Sequence, residues 1–150
     1  MDATDKKLLR LLQQNAKMTN KALSLEMGLS PTAVYERIKR LERQGVIRKY
    51  VALLDPARVD RNFRVFCQVK LNQHIKPQVV SFEKEVGELE EVVSCYHVGG
   101  AYDYLLEICV RDMQEYREFM VAKLTAIPYI GSTHSAFVIT TVKQTSELPL

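Results

Sequence analysis

Apolar residues in the first 45 positions recur at spacings of three and four, the period of amphipathic helices. The positions that define three such helices are Leu8, Leu9, Leu12 and Ala16, then Leu23 and Met27, then Val34, Ile38 and Leu41. Side chains suited to cap a helix N-terminus precede each set. The expected caps are Thr4, Thr19 or Asn20, and Ser30.

A short turn joins the second and third helices. Gly28 follows the last apolar position of the second helix, where a left-handed residue ends a helix at least cost. Ser30 and Pro31 are an N-cap and a favoured first helical residue, so the third helix starts there. It is expected to run to about Gln44, before Gly45. Two helices joined in this way form a helix-turn-helix.

The third helix has an apolar face and an opposite face of hydrogen-bonding and basic side chains. That polar face carries Thr32, Tyr35, Glu36, Lys39, Arg40 and Arg43. Residues 1–60 contain 12 Lys and Arg against 7 Asp and Glu, a net charge of +5, whereas residues 61–150 contain 9 against 11. If either half of the chain binds a polyanion, the basic first half is the one expected to do so, although an ordinary solvated helix face fits the charge equally well.

The segment after the third helix resembles the wing of a winged-helix domain. Residues 46–51 are a β-branched run with Arg48 and Lys49 in its middle, where they would contact phosphates. Asp55 and Pro56 then break the pattern, and residues 57–62 are typical of a linker. We expect two domains, residues 1–60 and residues 61–150.

In the second half of the chain, the spacing of apolar residues changes from the helical period to alternation. Residues 63–71 alternate apolar and polar side chains, which predicts a strand with one buried face. The elements expected after it are a helix over 77–86, strands over 92–98 and 102–110, a helix from 112 through 126, and a strand over 133–142. The order β-α-β-β-α-β is ferredoxin-like, with two helices on one sheet face, and the fold class is α+β. A second subunit is the simplest cover for the other face, so we expect a homo-oligomer.

The amino-acid composition indicates in which cellular compartment the protein is found. The 150 residues are 47% apolar and 26% charged, ordinary for a globular protein, and no apolar run approaches the length of a membrane span. The first ten residues lack the apolar stretch of a signal peptide. Cys67, Cys95 and Cys109 are odd in number and far apart, which is typical of a reducing compartment. We expect a cytoplasmic protein without a membrane partner, a metal or another cofactor.

Two motifs in this order resemble those of the Lrp/AsnC family of transcriptional regulators. They are residues 28–32 (GLSPT) with 37–47 (RIKRLERQGVI), and residues 99–106 (GGAYDYLL). The resemblance covers nearly the whole chain. It implies an N-terminal domain that binds double-stranded DNA and a C-terminal domain that binds a small effector, often an amino acid. It also implies homodimers, and frequently octamers.

One position departs from the family pattern. Many relatives have an acidic residue in the glycine-rich turn where this chain has Ala101. Because a lost charge-assisted hydrogen bond costs about 1.5–3 kcal/mol, we expect weak leucine binding and a different preferred effector. Without the family, the two glycines would favour a hairpin turn that needs glycine for its geometry alone.

The residues expected to act form two sets. We expect Lys39 and Arg40 to donate to guanine and Glu36 to accept from cytosine, with the remaining basic residues on phosphates. The full DNA set is Ser30, Thr32, Tyr35, Glu36, Arg37, Lys39, Arg40, Arg43, Arg48 and Lys49. The full effector set is Tyr96, Val98, Gly99, Gly100, Ala101, Tyr102, Asp103, Thr133, His134 and Ser135.

Other functions fit less well. An enzyme is disfavoured because His74, His97 and His134 are scattered and no catalytic motif accompanies them, so we expect no catalytic residue. RNA binding on the sheet is disfavoured because the strand over 102–110 lacks the basic and aromatic series of RNA-recognition domains. A DNA-compacting architectural protein that responds to no effector stays open as the alternative.

Overall fold

All 150 residues are described by a computed structural model, which divides them into two units. One unit comprises residues 1–53 together with 142–150, and the other comprises residues 54–141. Each unit has its own cluster of buried apolar side chains.

Three helices build the first unit: α1 (Ala3–Gln14), α2 (Asn20–Met27) and α3 (Pro31–Arg43). The predicted caps Thr19 and Ser30 are confirmed, since each side chain accepts a hydrogen bond from a backbone N–H of the first turn. The predicted cap Thr4 is wrong. Asp2 caps α1 instead, because Asp2 and Asp5 each accept the other's backbone N–H in a reciprocal capping box.

The core of the first unit lies where the three helices meet. Its buried residues are Leu8, Leu9, Leu12, Leu23, Val34, Ile38 and Leu41. Gly28 and Gly45, with φ of 66° and 70°, end α2 and α3 as predicted. The longest helix has 13 residues, and none combines the length and the apolarity of a bilayer span.

The C-terminal residues 142–150 group with this first unit, whereas the division predicted at residue 60 places them in the second domain. The Gln13 side-chain amide donates to the Leu148 carbonyl at 3.1 Å and accepts from its N–H at 2.7 Å. Arg10 donates to the Leu150 carbonyl, and the Leu150 side chain packs against the helical core. These contacts join residues from opposite ends of the chain. Local sequence patterns therefore could not predict them.

The segment after α3 that resembles a wing in sequence is irregular in this structure. Residues 46–51 contain no strand, and the four strands of the chain all lie in the second unit. The N–H groups of Val46 and Ile47 donate to the Leu41 carbonyl, closing the end of α3. A β-branched run without a neighbouring strand has no partner for its backbone groups, which explains the difference.

The second unit opens with a short 3₁₀ helix (Pro56–Val59) inside the predicted linker. Its main elements are β1 (Phe63–Leu71), α4 (Lys76–Gly87), β2 (Val92–His97), β3 (Tyr104–Val110), α5 (Met113–Phe119) and β4 (Ile130–Phe137). One π-helical turn, Met120–Leu124, extends α5. The sheet is antiparallel with the order β2-β3-β1-β4, so the ferredoxin-like arrangement is confirmed.

The two sheet faces differ in chemistry. Alternate residues of β1 and β3, including Val65, Cys67 and Leu106, are fully buried in the core of this unit. The opposite face carries half-buried Phe66 and Leu105 beside an Arg64–Glu107 ion pair of 3.3 Å. β4 ends earlier than predicted because its pairing with β1 stops at Phe137, opposite Val65.

Candidate functional sites

The first candidate site is the solvent-facing side of α3. Its core-facing residues are Val34, Ile38 and Leu41. At 100° per residue, the opposite side carries five side chains that are all exposed. They are Thr32, Tyr35, Glu36, Lys39 and Arg43, called here the outward face of α3.

Charges on the outward face are only partly compensated. Lys39 pairs with Glu42 at 2.7 Å and lies over the Tyr35 ring, 5.8 Å from its centroid. The hydrogen bond with Lys39 is the main cause of a lowered pKa for the Glu42 carboxyl. No ion pair involves Arg43, Arg48 or Lys49, which are exposed. These three cations are available to a polyanion.

Two further arginines of α3 have partners inside the unit. Arg37 donates to Asp2 at 2.9 Å and to Asp5 at 2.7 Å, and Arg40 donates to Asp5 at 2.5 Å. From the sequence, Arg40 is expected to read bases and Arg37 to contact a phosphate. Both guanidinium groups lie instead beside the outward face, against α1. The hydrogen bonds that Arg37 donates to the two carboxylates raise its pKa.

The second candidate site is the glycine-rich turn between β2 and β3, residues 98–103. The Val98 N–H donates to the Asp103 carbonyl at 2.8 Å and closes the turn. Gly99 and Gly100 are exposed, and Gly100 has φ of 132°, which L side chains rarely adopt. The N–H groups of both glycines donate to no protein atom. They are free to meet an anionic ligand group.

Asp103 is the one charged side chain of this turn. One of its carboxylate oxygens accepts from the Leu71 N–H at 2.8 Å, and the other lies 2.7 Å from His74 Nε2. Burial is the largest single influence and acts to raise its pKa. The hydrogen bonds from Leu71 and His74 and the nearby Lys70 outweigh it, so the pKa of Asp103 is lowered.

The other expected effector residues do not converge within one chain. Tyr102 and His134 come together as stacked rings 6.4 Å apart. Tyr96 lies on β2 and His134 on β4, at opposite edges of the sheet and three strand spacings apart, roughly 14 Å. Thr133 and Ser135 point toward the helices, since they pair with the buried Val69 and Cys67. The Ser135 hydroxyl is bonded to Tyr116 at 2.5 Å.

Two residues that contact the candidate sites, Asp5 and His74, were not predicted from the sequence. A signal existed for Asp5, which is three, four and seven residues before Leu8, Leu9 and Leu12 and so shares their core-facing stripe. An acidic residue at such a position needs a charged partner. His74 offered no comparable signal, because its proximity to Asp103 depends on tertiary structure.

The fold and the outward face of α3 define a helix-turn-helix protein with a second, ferredoxin-like domain. Residues 1–48 match the family model described as winged helix-turn-helix DNA-binding, and residues 64–148 match the Lrp/AsnC ligand binding domain. The chain belongs to the Lrp/AsnC family. It therefore has a DNA-binding domain at its N-terminus and a ligand-binding domain after it.

Full-length relatives support this assignment. The chain is 43% identical to the leucine-responsive regulatory protein of Haemophilus influenzae over 100% of its own length and 90% of the relative. It is 38% identical to the protein of that name from Escherichia coli K12, over 99% and 90% of the two chains.

Solved structures agree with the fold. An AsnC family transcriptional regulator from Agrobacterium tumefaciens matches with a TM-score of 0.95 and 38% identity, over 99% of this chain and 97% of that one. A Neisseria meningitidis transcriptional regulator in complex with L-Met matches with a TM-score of 0.95 and 35% identity, over 99% and 96%.

Proposed function

We propose that this protein is a cytoplasmic transcriptional regulator without catalytic activity. It reads DNA through the outward face of α3, and an amino acid that binds near the glycine-rich turn modulates its DNA binding. The main support is the exposed, only partly compensated basic surface formed by α3 and the residues just after it, within a segment that matches a DNA-binding family model. The names of its relatives, which include leucine-responsive proteins and a methionine complex, support an amino-acid effector.

The DNA contacts divide by chemistry. Residues near the start of a recognition helix reach base edges, which suits Thr32 and Glu36, and Lys39 follows on the same face with a longer side chain. Lys39 suits guanine acceptors, and Glu36 suits the cytosine amino group. Arg43, Arg48 and Lys49 are unpaired cations and suit phosphates. Arg37 and Arg40 are not assigned to base reading, because carboxylates of α1 hold both.

The test compares two substitutions on a duplex selected by the wild-type protein from a random library. Lys39→Ala should cost about 1–3 kcal/mol on that duplex and relax its preference at one base pair. Arg48→Ala should weaken selected and random DNA alike and lower the salt slope by about 1 per protomer. Lys84→Ala, at an exposed lysine of α4, is the control. If Lys39→Ala left both affinities unchanged, α3 would not be the reader.

The effector proposal uses the turn and its neighbours. The free N–H groups of Gly99 and Gly100 would meet the ligand carboxylate, and Asp103 would meet its ammonium. Val98 and the stacked Tyr102 and His134 would line the rest. Tyr96 is too far from His134 within one chain, so it would act from a second protomer. Ser135 is left out because its hydroxyl bonds Tyr116.

A homodimer through the open sheet face is part of this proposal, with octamers as a further assembly. Phe66 and Leu105 on that face are apolar and lack a cover within the unit. Light scattering of the purified chain tests it, and a monodisperse monomer of 17.2 kDa at micromolar concentration would contradict it.

Calorimetric titration of amino acids tests the effector. Wild-type protein should bind leucine weakly, and Ala101→Asp should strengthen leucine binding by tenfold or more, since a charge-assisted bond contributes about 1.5–3 kcal/mol. Ala101→Asn is the matched control without charge. Submicromolar leucine binding by the wild type, unaltered by Ala101→Asp, would refute the role given to position 101. If no amino acid bound or altered DNA binding, the architectural alternative would be favoured.

A further inference from the structure

The helix-turn-helix unit contains a buried acidic side chain next to its DNA-reading helix. The Asp5 side chain is only 3% exposed, although it lies in the first turn of α1. Its carboxylate contacts Arg37 and Arg40, which both belong to α3. A buried carboxylate is tolerated when it is paired and hydrogen-bonded, and here two guanidinium groups meet that need.

The two arginines are held differently. Arg37 is 26% exposed, and a single nitrogen, Nη1, bridges Asp2 and Asp5. Arg40 is 41% exposed and uses Nη2 alone, at 2.5 Å from Asp5. The other N–H groups of Arg40 donate to no protein atom. A guanidinium has five N–H donors, so Arg40 keeps donors for a second partner while Asp5 holds one end.

Arg40 lies at the margin of the outward face. On the helical wheel it is about 40° from Glu36 and about 60° from Arg43, on the side toward α1. A recognition helix in the major groove has a DNA backbone along each side, so a cation at this margin is placed for a phosphate. An arginine already fixed by one carboxylate loses less side-chain freedom when it binds that phosphate.

We propose that Asp5 is a positioning residue for DNA recognition. It fixes Arg40 so that the free side of its guanidinium meets a DNA phosphate, and it fixes Arg37 so that α3 keeps its orientation against α1. This inference rests on the proposed reading of DNA by α3. Asp5 itself touches no DNA, and its negative charge opposes indiscriminate attraction to the polyanion.

Removing only the charge of Asp5 gives a distinctive signature. Asp5→Asn keeps the shape and the acceptor for the Asp2 N–H, but it no longer holds the two guanidinium groups by charge. Random-DNA affinity should stay equal or rise, because one negative charge is gone. Affinity for the selected duplex should fall, so the selected-to-random ratio should drop about tenfold.

Asp2→Asn is the matched control. Asp2 contacts the same Arg37 but is 53% exposed and does not touch Arg40. The Asp2→Asn substitution removes one negative charge from the same region, and the selected-to-random affinity ratio should change little. Fluorescence anisotropy with selected and random duplexes over a series of salt concentrations measures both affinities, and circular dichroism establishes that each variant is folded.

Arg40→Lys provides a second route if Asp5→Asn does not fold. Lysine keeps the charge but is a compact cation that cannot span the carboxylate and a phosphate in one plane. Random-DNA affinity should persist, while the selected-to-random ratio falls. A folded Asp5→Asn or Arg40→Lys protein with an unchanged ratio would overturn the proposal and leave Asp5 a purely structural residue. The Lys39→Ala result distinguishes this failure from a failure of α3 as the reader.

Discussion

The two units of the chain build their candidate sites in different ways. The outward face of α3 comes from one helix, so its members follow the helical period along the sequence. The glycine-rich turn depends on Leu71 and His74, which lie about 30 positions away from Asp103. Local patterns therefore determine which residues the outward face of α3 contains, whereas tertiary contacts determine how the glycine-rich turn is held.

The largest expected effect concerns the two cores. Seven buried apolar residues support the first unit and fourteen support the second. Leu41 and Leu106 are each at most 1% exposed, one in each core. Truncation of either to alanine should cost about 2–5 kcal/mol. Because small cores are marginal, we expect Leu41→Ala to unfold its unit at growth temperature and Leu106→Ala to leave a destabilised but folded sheet.

Amide hydrogen exchange followed by mass spectrometry separates the two outcomes. Leu41→Ala should accelerate exchange in α1–α3 and abolish DNA binding, with the strands still protected. Leu106→Ala should accelerate exchange in β1 and β3 above all. Equal acceleration in both units by either variant would show that the units do not unfold independently.

Most of the fold was predictable because it depends on periodicity. The three helices and the β-α-β-β-α-β order of elements followed from spacings of three, four and two, and the caps Thr19 and Ser30 followed from residue type. The errors occurred where the structure depends on distant residues. Leu150 reaches the first unit from the far end of the chain, and residues 46–51 lack a partner strand. Thr4 was a reasonable cap, but the reciprocal bonds between Asp2 and Asp5 place the start of α1 earlier.

The candidate sites were predictable to unequal degrees. The helical period predicted which residues lie on the outward face of α3. It could not predict the partners of Arg37 and Arg40, because an ion pair between two helices leaves no local pattern in the sequence. At the turn, the glycines were evident and the bond from the Leu71 N–H to Asp103 was not. A residue type can indicate chemistry, while its availability depends on what already binds it.

An intermediate effect is expected at Asp103. Asp103→Asn removes a charged acceptor from the Leu71 N–H and from His74, and should destabilise the second unit by about 1.5–3 kcal/mol at neutral pH. The folded-state pKa of Asp103 is lowered from its ordinary 3.8, so its contribution is complete above that value. It is lost as the pH falls through the lowered pKa. The stability difference between wild type and variant should therefore shrink below pH 3.8.

Urea unfolding on both sides of that pH measures the difference. Asp60→Asn, at an exposed aspartate without a salt bridge, is the control and should show little effect at any pH. His74 and Lys70 are the basic side chains that face Asp103, and neither is substituted in these variants. A stability difference that did not depend on pH would mean that the carboxylate charge is unimportant to the turn.

The smallest expected effect separates turn geometry from ligand binding at the two glycines. A Cβ at Gly99 or Gly100 would meet no atom within 4 Å, so crowding does not distinguish them. Gly100 has φ of 132°, and Gly100→Ala should cost about 1–2 kcal/mol in backbone strain. Gly99→Ala should change the unfolding free energy by about 0.5 kcal/mol or less. Yet it should weaken binding of the preferred amino acid, because a methyl group would obstruct the approach of the ligand carboxylate to the turn's N–H groups. Thermal unfolding and calorimetric titration of both variants measure the two effects, and an unchanged amino-acid affinity in Gly99→Ala would mean that the glycines serve the geometry of the turn alone.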